Sequence, residues 1–146
     1  MADPHQVFTQ YIAESGLKNT PQRHTILEVF LSAGKHLSTE ELYTEVRAIE
    51  KNVGQATVYR TLKLLCEAGL AKELHFGDGI ARYEPSLGIA HHDHLICTVC
   101  HKNIEFLDNT IEQLQNELAS RHGFTLTSHR LYLYGVCADC QPKGNR

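Results

Sequence analysis

The chain has 146 residues, 42% of them apolar, and a formal net charge of −3. That length allows one large domain or two small ones. No apolar stretch approaches the roughly 18 residues of a membrane-crossing helix, and the opening MADPHQVFTQ lacks the basic flank and apolar core of a secretory signal. The expected location is therefore the cytoplasm. The charge balance also excludes the simplest picture of a nucleic-acid binder, a broadly basic domain. Up to Glu84, nine Lys/Arg stand against eleven Asp/Glu, so any DNA-binding surface must gather its basic residues on one face.

Val7, Phe8, Tyr11 and Ile12 recur at helical spacing, and Gly16 ends the stripe. Thr20 followed by Pro21 predicts a second helix start, because a hydroxyl caps free N–H groups and proline fits the first helical position. Ile26, Leu27, Phe30 and Leu31 form its buried face, with Gly34 as the stop. Ser38-Thr39-Glu40-Glu41 reads as a capping box opening a third helix with Leu42, Val46 and Ile49. After the Gly54 break, Val58, Leu62 and Leu65 line one side of a fourth helix. Thr57, Tyr59, Arg60 and Lys63 fall elsewhere around it, and Gly69 ends it. Residues 70–76 and 80–84 flank Gly77-Asp78-Gly79, a hairpin signal. Helices in this order followed by a hairpin predict a winged helix-turn-helix; a generic helical domain with a hairpin lid is the alternative.

Residues 85–90 (PSLGIA) read as a hinge between a first domain, 1–84, and a second, 91–146. In the second, residues 94–99 and 103–107 read as strands. Ile111, Leu114 and Leu118 mark a helix from near Asp108 to Gly123, and residues 124–136 read as a last strand. The expected fold class is α+β, with the second domain built on a three-stranded antiparallel sheet.

Five cysteines are present, and four form two C-x-x-C pairs, Cys97/Cys100 and Cys137/Cys140. A two-residue spacer lets both thiolates of a pair reach one ion, and two pairs complete a tetrahedron. An all-sulfur, closed site suits zinc in a structural role. Cys66 reads as a small buried apolar residue on the fourth helix. Six of the ten histidines follow residue 90, and His91-His92-Asp93-His94 is the densest run of ligand types. In an extended segment, side chains alternate. His92 and His94 then point one way, His91 and Asp93 the other, and one short strand serves two sites. Glu105, Glu112 and His129 follow in the chain, and His36 and Glu84 precede the run. Imidazole with carboxylate suits iron, manganese, zinc or nickel. His5, His24, His75, His101 and His122 read as ordinary histidines.

With GLKNTPQR (16–23), ATVYRTL (56–62), HHDHLICTVC (91–100), IEFLD (104–108) and LYGVCADC (133–140) in this order, the chain resembles the ferric uptake regulator family of metal-dependent repressors. The resemblance implies a homodimer, in which pairing into a tetramer is left open, with an N-terminal winged helix and a C-terminal α/β dimerisation domain. It implies structural zinc on Cys97, Cys100, Cys137 and Cys140. It further implies a regulatory site from His36, Glu84, His92, His94 and Glu105, and a second site from His91, Asp93, Glu112 and His129. The regulatory ion would be ferrous iron, with manganese or zinc as substitutes. Peroxide sensors of the family carry aspartates where this chain has Glu84 and Glu105, and zinc sensors usually lack so full an HHDH run. The implied partner is double-stranded, A·T-rich palindromic DNA. Residues 55–68 would enter the major groove with Thr57, Tyr59 and Arg60, and Lys18 would lie near a minor groove.

Two readings of other classes compete. A zinc hydrolase or deaminase would carry H-E-x-x-H, or H-x-E with P-C-x-x-C, and neither is present; the expectation is a protein that is not an enzyme. A zinc-scaffolded metal-storage or interaction protein would explain the ligands but not the ATVYRTL helix and hairpin.

Overall fold

Short polar caps and prolines open the first helices of the computed structural model. Asp3 caps α1 (Pro4–Glu14), and Thr20 caps α2 (Pro21–Ala33), accepting from the Arg23 N–H. Gly34 closes α2 in the left-handed region at φ 64°, where a side chain would be strained. Ser38 and Glu41 form the reciprocal capping box of α3 (Thr39–Arg47). α4 (Gln55–Glu67) starts at Gly54 without a side-chain cap. Residues 2–88 and 91–142 are described; Ile89 and Ala90, the end of the expected 85–90 hinge, lie outside them, as do residues 1 and 143–146.

Two compact units result: Met1–His75 with Gly79–Ile89, and Phe76–Asp78 with Ala90–Arg146. In the first, α1–α4 converge on a core that includes Phe8, Ile26, Phe30, Leu42, Val58 and Leu62, all fully buried. The hairpin expected at Gly77-Asp78-Gly79 is β2 (Ala71–His75) and β3 (Ala81–Pro85), with both glycines at φ near +80°. A strand that the sequence did not signal, β1 (Leu37–Ser38), pairs with β3, giving an antiparallel sheet of order β1-β3-β2. Two residues are too few to display an alternation. Pro85, expected in the hinge, is the last residue of β3. α1 is fastened by side chains: Tyr11 donates to Glu67 of α4 at 2.5 Å, and His5 Nε2 lies 2.8 Å from Glu28 of α2. His5 also meets His24, their Nδ1 atoms 2.9 Å apart.

The second unit has β4 (Asp93–Cys97), β5 (Asn103–Phe106), α5 (Asn109–Arg121), β6 (Tyr132–Gly135) and a short 3-10 turn, Ala138–Cys140. Asp108 caps α5 with two N–H acceptances. The fold is α+β as expected, but this sheet is mixed rather than antiparallel. Its order is β5-β4-β6, with β5 antiparallel and β6 parallel to β4. The reason is topological: β4 and β5 join through a tight connection, whereas α5 carries the chain back before β6 begins, as a parallel neighbour requires. The expected strand over 124–136 reduces to β6.

Polar groups and few apolar ones are buried here. Asp93 and His94 are each 1% exposed, and α5 buries no residue fully. Leu107, Leu114, Leu118 and Phe124 are each more than half exposed. Leu95, cross-strand neighbour of both Ile104 and Leu133, forms with them an exposed apolar row.

Removing one half of the α3 cap tests this reading of the first unit. Ser38→Ala should cost about 1 kcal/mol, read as a lower midpoint in thermal or urea unfolding. The Ser38 N–H holds the Glu41 carboxyl below the ordinary carboxylate range. A depressed carboxyl stabilises the fold above its unfolded value and loses that contribution as pH falls through its folded value. The stability difference between the native chain and Glu41→Gln should therefore be full at neutral pH and shrink below roughly pH 4.

Candidate functional site

The tight β4–β5 connection and the chain's end bring the two cysteine pairs together. Ligand atoms of Cys97, Cys100, Cys137 and Cys140 all lie within 4.8 Å of one another, and Cys100 Sγ is 3.7 Å from Cys137 Sγ. The backbone N–H groups of Cys100, Cys137 and Val99 point at Cys97 Sγ, each at 3.4 Å. They draw that thiol down to about 6, well below an ordinary cysteine. Cys140 is pushed up to about 12, first by its hydrogen bond with Cys137, then by burial and by Cys100 and Cys97. The chemistry is direct: thiols this close oppose one another's ionisation, and a cation among them offsets the charge. A doubly charged, sulfur-preferring ion fits this set.

At the start of β4, alternation divides the HHDH run. His91 and Asp93 face Glu112 of α5 and His129 from the segment before β6, and the four ligand atoms again fall within 4.8 Å. His129 Nε2 is 3.1 Å from both His91 Nε2 and Glu112 Oε1, and 3.4 Å from Asp93 Oδ1. Asp93 Oδ1 also lies 3.3 Å from His91 Nε2. Both Asp93 carboxylate oxygens are buried, and neither accepts a hydrogen bond. A buried carboxylate in that condition is expensive, and a cation among its neighbours removes the expense. The donor set therefore fits a divalent metal ion of the harder, nitrogen- and oxygen-preferring kind.

His92 and His94 lie together on the opposite side, ring centroids 4.8 Å apart, and His92 Nε2 is 3.5 Å from Glu105 Oε1. Glu105 is the β5 residue directly opposite His94. Two residues that the sequence did not single out prepare His94. Asn103 Oδ1, 3.1 Å away, accepts from His94 Nδ1, which leaves the Nε2 lone pair as the ligating position. Tyr132, its β6 neighbour, stacks on its ring at 5.2 Å and 11°. Strand register brings Tyr132 beside His94, whereas Asn103 stands opposite Ile96 and reaches His94 on the diagonal. His36 and Glu84, the other residues expected in this set, belong to the first unit, just before β1 and within β3.

On α4 of that unit, Val58, Leu62 and Leu65 are buried, whereas Tyr59 is 47% exposed and Arg60 is exposed. Thr57 is half-buried, its carbonyl accepting from Thr61. Lys18 is exposed in the turn before α2, and its carbonyl accepts from Arg23.

A model of the ferric uptake regulator family matches residues 14–134. The chain is 44% identical over 138 residues to the ferric uptake regulation protein of Campylobacter upsaliensis, covering 93% of this chain and 88% of that one. It is similar in structure to the Vibrio cholerae ferric uptake regulator, with 43% identity and a TM-score of 0.70 over 88% of this chain and 98% of the other. It is also similar to the Helicobacter pylori ferric uptake regulator, a protein described as having three functional metal-binding sites. That match has 34% identity and a TM-score of 0.80, over 98% and 97% of the two chains.

The cysteine cluster makes a direct prediction. If the four cysteines hold a zinc ion, Cys97→Ser and Cys140→Ser should each lower both zinc content and the melting midpoint, because metal-binding free energy at such a site is folding free energy. Metal analysis and thermal unfolding check it; native zinc content with a native melting curve in both variants would contradict it.

Proposed function

The chain belongs to the ferric uptake regulator family, and from that premise we propose that this metal-responsive regulator is a ferrous-iron-dependent repressor of transcription. The observation that carries the reading is the division of the HHDH run into two imidazole–carboxylate groups on opposite sides of one strand, beside a separate four-cysteine cluster.

Three roles follow for the ligand sets. Cys97, Cys100, Cys137 and Cys140 hold structural zinc. His91, Asp93, Glu112 and His129 form a second site. His92, His94 and Glu105, joined by His36 and Glu84 of the other unit, take the regulatory ion, with manganese or zinc as substitutes. Ligands drawn from both units make occupancy a constraint on their relative pose, and that pose is what the operator selects. About 3 kcal/mol of differential affinity between poses suffices for a hundredfold population shift. Neutralising carboxylates also lowers repulsion from phosphate in an acidic chain. Iron is favoured over a peroxide-responsive reading by glutamate at positions 84 and 105, and over a zinc-responsive one by the complete HHDH run.

α4 is the recognition helix. Tyr59 offers a ring to thymine methyls, Arg60 a guanidinium to guanine or phosphate, and Thr57 and Lys18 lie at the edges of the contact. The family resemblance suggests an A·T-rich operator, and two copies of the chain, presenting two such helices, call for a palindrome. The exposed apolar residues of α5 and the Leu95–Ile104–Leu133 row support pairing through the second unit. Among the described residues no helix is long and apolar enough to cross a membrane, in keeping with work on cytoplasmic DNA.

Operator binding titrated anaerobically with ferrous, manganous and zinc ions, on protein retaining its cysteine-bound zinc, tests the reading and ranks the metals. His92→Ala should keep fold and zinc but lose the metal dependence of operator binding by tenfold or more. An anisotropy titration with unchanged metal dependence would exclude His92 from the regulatory set.

A further inference from the structure

Tyr59 and Lys63 are one helical turn apart on the exposed face of α4, where i and i+4 side chains meet. A lysine on a recognition helix invites assignment as a phosphate contact. Its surroundings here argue otherwise. Lys63 Nζ is 3.3 Å from Glu73 Oε2 on β2, 5.4 Å from the Tyr59 ring centroid and 5.8 Å from that of Tyr83 on β3. Tyr83 is 1% exposed, so the ammonium is set between a fixed aromatic wall and an exposed aromatic ring. Although burial works against its charge, Glu73 and Tyr83 hold Lys63 above the ordinary lysine value. Its charge is thus engaged inside the unit, at the junction of helix and wing.

We propose that Lys63 is a positioning residue for operator readout: anchored by Glu73, its ammonium holds the Tyr59 ring by a cation–π contact and does not serve as a phosphate contact. The inference rests on α4 being the recognition helix. A cation within about 6 Å of a ring centroid is attracted to the ring face, and Glu73 fixes where that cation stands. Lys63 therefore acts on specificity, through Tyr59, and leaves the sequence-independent attraction to DNA untouched.

Salt dependence separates the two roles, because each phosphate contact contributes about −0.9 to the slope of log K against log salt. Operator and random-sequence binding are measured by anisotropy across a salt series on the manganese-loaded, zinc-containing protein. Lys63→Met should weaken operator binding roughly tenfold, leave random-sequence binding near native, and keep the slope. Lys63→Arg, which retains a cation able to stack on the ring, should recover most of the loss. In a Tyr59→Ala background, Lys63→Met should add little, because the two act as one unit. Glu73→Gln supplies a second handle: releasing the ammonium should strengthen random-sequence binding and steepen the slope by about one unit while operator preference falls. A slope lowered by about one unit in Lys63→Met, with equal weakening on both DNAs, would make Lys63 a phosphate contact and overturn the proposal. So would full additivity with Tyr59→Ala. If Tyr59→Ala itself leaves operator affinity unaltered, the recognition-helix reading fails first and the proposal with it. Melting curves and metal content confirm that each variant is folded.

Discussion

The middle strand of the second sheet begins with two ionisable residues out of water. Asp93 and His94 are each 1% exposed, and they point to opposite sides of β4. Removing such groups from water costs several kcal/mol apiece unless partners replace the lost hydration. Around Asp93 the partners are two imidazoles and the Glu112 carboxylate, and around His94 they include Asn103 and the Tyr132 ring. Two carboxylates facing each other among imidazoles repel one another, and a cation between them removes that repulsion. The unit's architecture follows from that condition. β5 supplies Asn103 and Glu105, α5 supplies Glu112, and the segment entering β6 supplies His129.

Local signals in the sequence were legible where physics is local. Thr20-Pro21, the Ser38–Glu41 box, Asp108 and Gly34 each mark a helix end through bonds spanning a few residues, and the helices begin and end there. The side alternation within HHDH was legible for the same reason. What escaped depends on pairing between distant segments. β1 exists because Leu37 and Ser38 meet Tyr83 and Arg82, and the parallel placement of β6 is decided by α5 rather than by its own four residues. Residues 124–131 show why apolar alternation misleads. Phe124 and Leu126 alternate as in a strand, yet both stay exposed and neither is in a strand. Asn103 and Tyr132 were invisible as second neighbours of His94, because register assigns that role.

Charge in the first unit is arranged rather than abundant. Acidic residues outnumber basic ones up to Glu84, and some basic groups are already engaged: Lys63 with Glu73, and Arg23 with the Lys18 carbonyl. Such a balance gives little long-range electrostatic attraction to DNA. A regulator built this way gains little from lingering on arbitrary DNA.

The thin interior of the second unit has a further consequence. Among the described residues of this unit, Phe76, Ile96 and Cys97 are the buried apolar ones, so a single copy has little hydrophobic free energy of its own, and α5 contributes no buried side chain. In the proposed arrangement, a cation on the four cysteines and a second copy on the exposed apolar row supply the remainder. Such a module obeys mass action: its folded fraction rises with the amount of chain present. Under the proposed zinc site and pairing, dilution and zinc scarcity are the same stress to this half of the molecule. The quantity of the chain then becomes a variable in whether this second unit is folded.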